Sequence, residues 1–210
     1  GTFDAVLIFV IDANQVNDVL FSGRLFDHLQ PKALIVNCVT MAPRETITIS
    51  QRVTEYGFRY IDAPVSGGAL KARDGKMSVM ASASPDAMAD AAEIFKAIAE
   101  QVFRLGDSPG AGSQMKLINQ SLAGIHIAAA AEAMNLAQSL KMDLHQVIDV
   151  ITHCAGTSWM FENRAPHIAN GDYSPLSSVN IFVKDLGIVT DEASVHSTVT
   201  PLADAALALF

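Results

Sequence analysis

Three apolar runs separated by helix-like segments place the tightest constraint on the first half of this chain. AVLIFVI (5–11) and ALIVN (33–37) are continuous in apolar residues, as strands buried on both faces are. FRYIDAPV (58–65) is a third candidate strand, and Asn14–Phe21 and Arg44–Tyr56 between the runs read as helices. That alternation predicts a βαβαβ unit with parallel strands and right-handed crossovers. VSGGALKARDG reads as a loop, MSVMAS (77–82) and QVFRLG (101–106) as further strands, and Pro85–Glu100 as a helix with Pro85 and Asp86 at its start.

After Gly112 the pattern changes. Residues 113–142 form one long alanine-rich helical pattern, and the remainder is also helix-like apart from 155–180. The expected division is therefore 1–108 as an α/β domain and 109–210 as an all-helical domain. The 210 residues are 50% hydrophobic and 17% charged, enough to build substantial cores. A net charge of −8 argues against a nucleic-acid groove or an anionic membrane surface. AVLIFVI is far too short to span a bilayer, and no signal peptide is read. Cys38 and Cys154 lie far apart, so a reduced, cytoplasmic protein is expected. The six histidines show no HExxH or HxxxH spacing, so no metal site is expected.

GAGSQMKLINQ (110–120) has the look of a phosphate loop, a glycine-rich turn between a strand and a helix. The dinucleotide fingerprint needs a third glycine where this chain has Met115, and no GxGxxG occurs in the 210 residues. The other reading is a helix whose first turns carry Lys116, Asn119 and Gln120 on one face, at i, i+3 and i+4. A lysine beside two amides, amid Met, Leu and Ile, is partly desolvated, which favours the neutral amine. Such an amine can exchange a proton with an alcohol as a hydride leaves or arrives at its carbon. The plainer alternative is an ordinary solvated lysine.

DAPVSGG (62–68) ends a strand in Ser66, Gly67 and Gly68. Open α/β sheets bind ligands at such strand ends, and successive backbone amides make a concavity for a carboxylate. A tight turn is the bland alternative. In FVKDLGI (182–188), Lys184 and Asp185 interrupt an apolar helical pattern, usually the mark of a surface ion pair of little energetic value. SWMFENR (158–164) and GDYSP (171–175) read as an aromatic- and amide-rich loop, either pocket wall or core anchor.

In order and spacing, DAPVSGG, GAGSQMKLINQ and VKDLGI resemble the three signatures of the β-hydroxyacid dehydrogenase family, and the resemblance runs through essentially the whole chain. Within it, SWMFENR, GDYSP and IFVKDLGIV look most like the branch acting on L-threonate. The resemblance implies a Rossmann-type, mostly parallel sheet without its N-terminal strands, joined by a long interdomain helix to an all-α domain. It implies an NAD(P)-dependent oxidoreductase moving a hydride between a small 3-hydroxy acid and nicotinamide, with NAD favoured over NADP.

Lys116 would be the general acid/base where the domains meet. Ser66, Gly67 and Gly68 would hold the substrate carboxylate, and Asn119 and Gln120 would orient the substrate. Thr40, in NCVTMAP, would lie near the cofactor, although Val39 replaces a serine there. Ile11 would pass beside the cofactor, and Lys184 would close over its nicotinamide side. A homo-oligomer paired through the helical domain is implied, with neither nucleic acid nor membrane as a partner. The family's leading GxGxxG unit is not in these residues; about 60 residues, the scale of two βαβ units, would precede Gly1, and the far end would stop before the family's last helices. Two alternatives follow: a catalytically inactive remnant, or a related aldehyde or semialdehyde reductase.

Overall fold

The computed structural model describes residues 3–174 and 178–210. By its internal contacts the chain forms two compact units, Gly1–Ile118 and Asn119–Phe210.

The first unit holds a six-stranded sheet. Strands β1 (Phe3–Ile8), β2 (Leu29–Asn37) and β3 (Arg59–Asp62) pair in parallel, as the alternation predicts. The apolar run of β2 is continuous because both of its faces are covered. Ala33 and Ile35 join one core cluster with Val16, Leu20, Ile49 and Val53, while Leu34 and Val36 join another with Ile61, Ala87, Ala91 and Phe95. Helices α1 (Ala13–Asn17) and α2 (Pro43–Glu55) supply the first layer, and α4 (Pro85–Asp90) and α5 (Ala92–Ile98) the second.

Several expectations need correction. AVLIFVI is strand only to Ile8, so Phe9–Ile11 lie beyond its carboxyl end, and the first helix ends at Asn17 and continues as a π-helical turn, Asp18–Ser22. FRYIDAPV is two strands, not one. It breaks after Asp62, and β4 (Val65–Ser66) pairs antiparallel with β5 (Met77–Ser82). Pro64 lies in this break, and proline has no N–H to give a continuous ladder. The supposed loop after Ser66 contains the short helix α3 (Gly68–Arg73). Pro85–Glu100 is two helices, and β6 begins at Ala99 and runs parallel to β5 through Gly106. The antiparallel pairings of β5 with β3 and β4 leave the sheet mixed but mostly parallel.

Helix α6 (Ala111–Ser139) is the long alanine-rich element. The division by contacts falls inside it, at Ile118, because its first turn is hydrogen-bonded to the strand ends of the first unit.

In the second unit, α7 (Leu144–Thr152) and α8 (Trp159–Asn170) pack against α6 around Met134, Ala130, Phe161 and Ala165. Helix α8 replaces the expected loop: Ser158 caps its start by accepting from the Phe161 N–H, and Gly171 closes its end in the left-handed conformation. Ser158 thus caps a helix, and Trp159–Arg164 lie within it. Of GDYSP, Pro175 lies outside the described residues. Helices α9 (Asn180–Val195) and α10 (Pro201–Leu207) follow. Among the described residues, no helix is long and apolar enough to cross a membrane.

Candidate active site

Asp62 ends β3 with its side chain fully buried, so its carboxylate must find donors inside the protein. It takes them from the start of α6. Oδ2 accepts from the backbone N–H of Gly110 (2.9 Å) and Ser113 (2.8 Å) and from the Ser82 hydroxyl (3.1 Å). Oδ1 accepts from the Ser113 hydroxyl at 2.7 Å, and the Gly112 N–H donates to the Ser82 oxygen at 2.9 Å. The first N–H groups of a helix have no partner within it; here residues at the ends of β3 and β5 supply them, and the negative charge sits favourably at the positive end of the helix.

The glycines of this segment are required by shape. A Cβ at Gly112 would lie 2.3 Å from the Met80 carbonyl oxygen and 3.0 Å from that of Asp62. Ser113 also hydrogen-bonds Thr46 of α2 at 2.8 Å.

Burial pushes the Asp62 carboxyl above its ordinary value, outweighing the hydrogen bonds from Ser113, Gly110 and Ser82 that pull it down. A folded value above the unfolded one, about 4, makes the linked stabilisation complete below about pH 4; it fades as pH rises through the folded value. Asp62→Asn cannot titrate and turns one buried donor toward others, at a cost of about 1–3 kcal/mol. The native urea midpoint is therefore expected to fall relative to that of the variant as pH rises from about 4.

One turn beyond Ser113, on the same face of α6, stands Lys116. It is 6% exposed, and its Nζ donates to the Val65 carbonyl oxygen of β4 at 2.8 Å. The solvated alternative is thereby excluded. The next residue is Ser66, followed by Gly67 and Gly68 at φ +131° and +68°, conformations that L side chains rarely adopt. A Cβ at Gly67 would also lie 2.8 Å from the Lys71 side chain. Lys116 is thus held at the residue that leads into the Ser66–Gly68 turn. Asp62 was missed as a site-building residue, although an acidic residue closing a buried strand just before Pro-Val-Ser-Gly-Gly already demands internal donors.

At the carboxyl ends of β1 and β2, Ile11 is 60% exposed and Thr40 half-buried. The Ile11 N–H donates to the Gln15 side chain at 2.9 Å, and Asp12 caps α1 by accepting from the Gln15 N–H. Glu45 holds the start of α2, accepting from the Ala42 N–H at 3.2 Å. Both helix starts therefore already carry a carboxylate and repel a phosphate. Beside them stand the exposed, apolar Phe9 and Ile11 and the half-buried Thr40, surroundings better suited to a planar ring than to a pyrophosphate. Cys38, next to this region in sequence, is buried, and burial pushes its thiol up to about 12, with the Asp62 charge adding to the effect.

In the second unit, Gln120 is buried and Asn119 half-buried on α6. Asp185 of α9 is 1% exposed, which corrects the surface ion pair expected of Lys184 and Asp185. Close packing brings the helices together here, since a Cβ at Gly124 would lie 2.8 Å from the Leu186 side chain. Gln120 donates from Nε2 to Asp185 Oδ2, and Lys184 Nζ lies 2.8 Å from Oδ1. Oδ1 accepts no hydrogen bond, so the lysine meets it as an ion pair outside hydrogen-bonding alignment. Among the described residues, no three or more His, Cys, Asp or Glu side chains gather to hold a metal ion.

Comparison with known proteins agrees in both halves. Residues 1–106 match the family described as the NAD binding domain of 6-phosphogluconate dehydrogenase. Residues 110–210 match that described as NAD-binding of NADP-dependent 3-hydroxyisobutyrate dehydrogenase. The chain is 47% identical to an L-threonate dehydrogenase of Escherichia coli O6:H1 over 99% of its own length and 69% of the relative's. It is 48% identical to one of Cupriavidus necator over 99% and 70%. A solved structure of a 3-hydroxyisobutyrate dehydrogenase from Salmonella typhimurium superposes with a TM-score of 0.92 at 47% identity, covering 97% of this chain and 71% of that one. The chain belongs to the β-hydroxyacid dehydrogenase family of NAD(P)-dependent oxidoreductases.

Proposed function

We propose that this chain carries the substrate chemistry of an L-threonate dehydrogenase, with Lys116 as the general acid/base. The observation that carries the reading is the buried Lys116 amine held at the Val65 carbonyl, one residue from the Ser66–Gly68 turn. The substrate carboxylate sits at Ser66, Gly67 and Gly68, and the hydroxyl at Lys116. The amine takes the hydroxyl proton as the carbonyl forms, and returns it in reduction. The bound nicotinamide supplies the acceptor for the hydride leaving the same carbon. Ile11 and Thr40 line the nicotinamide end, and NAD is the expected cofactor. Asn119 and Gln120, further along α6, orient the substrate, and Lys184 closes the cofactor side.

The choice of L-threonate rests on the relatives named for that activity. The test is a panel of C4 sugar acids and simpler 3-hydroxy acids, assayed with NAD and NADP by the appearance of reduced nicotinamide, beside glyoxylate-type aldehydes assayed with NADH and NADPH by its disappearance. L-Threonate with NAD is expected to give the highest kcat/KM; turnover of glyoxylate-type aldehydes alone would refute the assignment. Exposed Leu122 and Leu136 fall within one narrow face of α6 at about 100° per residue, with exposed Leu140 just beyond its end, which supports self-association through the helical part of the chain.

A further inference from the structure

Gln120, Asn119 and Asp185 form a chain of hydrogen bonds whose polarity has only one solution. Lys184 Nζ stands 2.8 Å from Asp185 Oδ1, so the side chain is an acceptor-only carboxylate. Gln120 must then turn its Nε2 toward Asp185, which leaves Oε1 as the acceptor on its other side. Asn119 answers with its Nδ2, donating to that oxygen at 2.9 Å. The orientation of an amide is set by its hydrogen-bond network, and this network fixes the Asn119 oxygen on the side away from Gln120.

We propose that Asp185 is a positioning residue: acting through Gln120, it makes Asn119 present its Oδ1, a hydrogen-bond acceptor, to a substrate hydroxyl. An acceptor there takes a hydroxyl and rejects a second carboxylate, so the relay selects polyhydroxylated monoacids. The inference rests on the substrate reading above and deepens it.

The test compares L-threonate with its two analogues that each lack one hydroxyl other than the one oxidised, in the native protein with nicotinamide cofactor and in three variants. The native protein is expected to prefer L-threonate over at least one analogue; equal kcat/KM for all three overturns the proposal. Asp185→Asn, whose amide lets Gln120 and Asn119 turn over, is expected to lower that preference about tenfold, the worth of one hydrogen bond. Asn119→Ala should lower it as much, and Asp185→Asn should lower it no further in the Asn119→Ala background. An equal loss on all three substrates, or an Asp185→Asn effect on preference that persists without Asn119, overturns the proposal. Side-chain amide proton exchange, followed by NMR in the folded protein, reads the relay without turnover. Protection of the Asn119 amide protons should drop in Asp185→Asn, and unchanged protection contradicts the relay. If the native protein turns over no sugar acid, the substrate reading fails while this measurement still decides the relay.

Discussion

Lys116→Met is expected to lower turnover about a thousandfold, within the range set by loss of a positioned acid/base, while the protein still folds. Methionine has nearly the length and volume of the lysine stem, so the buried slot on α6 stays filled. The variant loses only the amine and leaves the Val65 carbonyl without that donor, a cost of about 1–3 kcal/mol. Because the proton moves only as the hydride leaves, kcat and kcat/KM should fall together. Steady-state kinetics with a thermal melt checks both halves, and near-native turnover would remove Lys116 from the chemistry.

The second large effect is on stability. Gly112→Ala places a methyl carbon 2.3 Å from the Met80 carbonyl and 3.0 Å from the Asp62 carboxylate, against backbone that cannot swing aside. The start of α6 would have to withdraw from the strand ends, stretching the bonds that Asp62 and Ser82 make to it. A loss of about 3 kcal/mol is expected, at the upper end of overpacking costs. For a chain of this length that corresponds to roughly 6–12 °C in Tm. Gly156→Ala, where an added Cβ meets nothing within 4 Å, is the control and should change Tm little. Differential scanning calorimetry of the two variants makes the comparison.

Both effects trace to one arrangement. The four residues from Asp62 to Val65 hold the amino end of α6 through Asp62 and the Lys116 amine through Val65, then lead into the Ser66–Gly68 segment. The two sequence motifs are therefore the two sides of a single contact.

The parallel core was legible because burial on both faces writes itself into β2 as an unbroken apolar run. The direction of β4 was not, because antiparallel pairing with β5 depends on partners distant in sequence, and composition carries no sign of it. Helix α8 was hidden by its interior Pro166, which breaks the expected pattern, while its ends are set by the Ser158 cap and Gly171. Lys184 and Asp185 looked like surface charges; only the close approach of α6 and α9 at Gly124 and Leu186 buries the aspartate. For Lys116 the spacing of polar residues left burial open, and the anchoring of α6 by Asp62 decides it.

The most direct measurement is a crystal structure of the protein with L-threonate and nicotinamide cofactor bound. The reacting hydroxyl oxygen should lie within about 3.2 Å of Lys116 Nζ, or one water away, with the carboxylate on Ser66–Gly68. A substrate bound with that hydroxyl beyond reach of Lys116 would contradict the assignment.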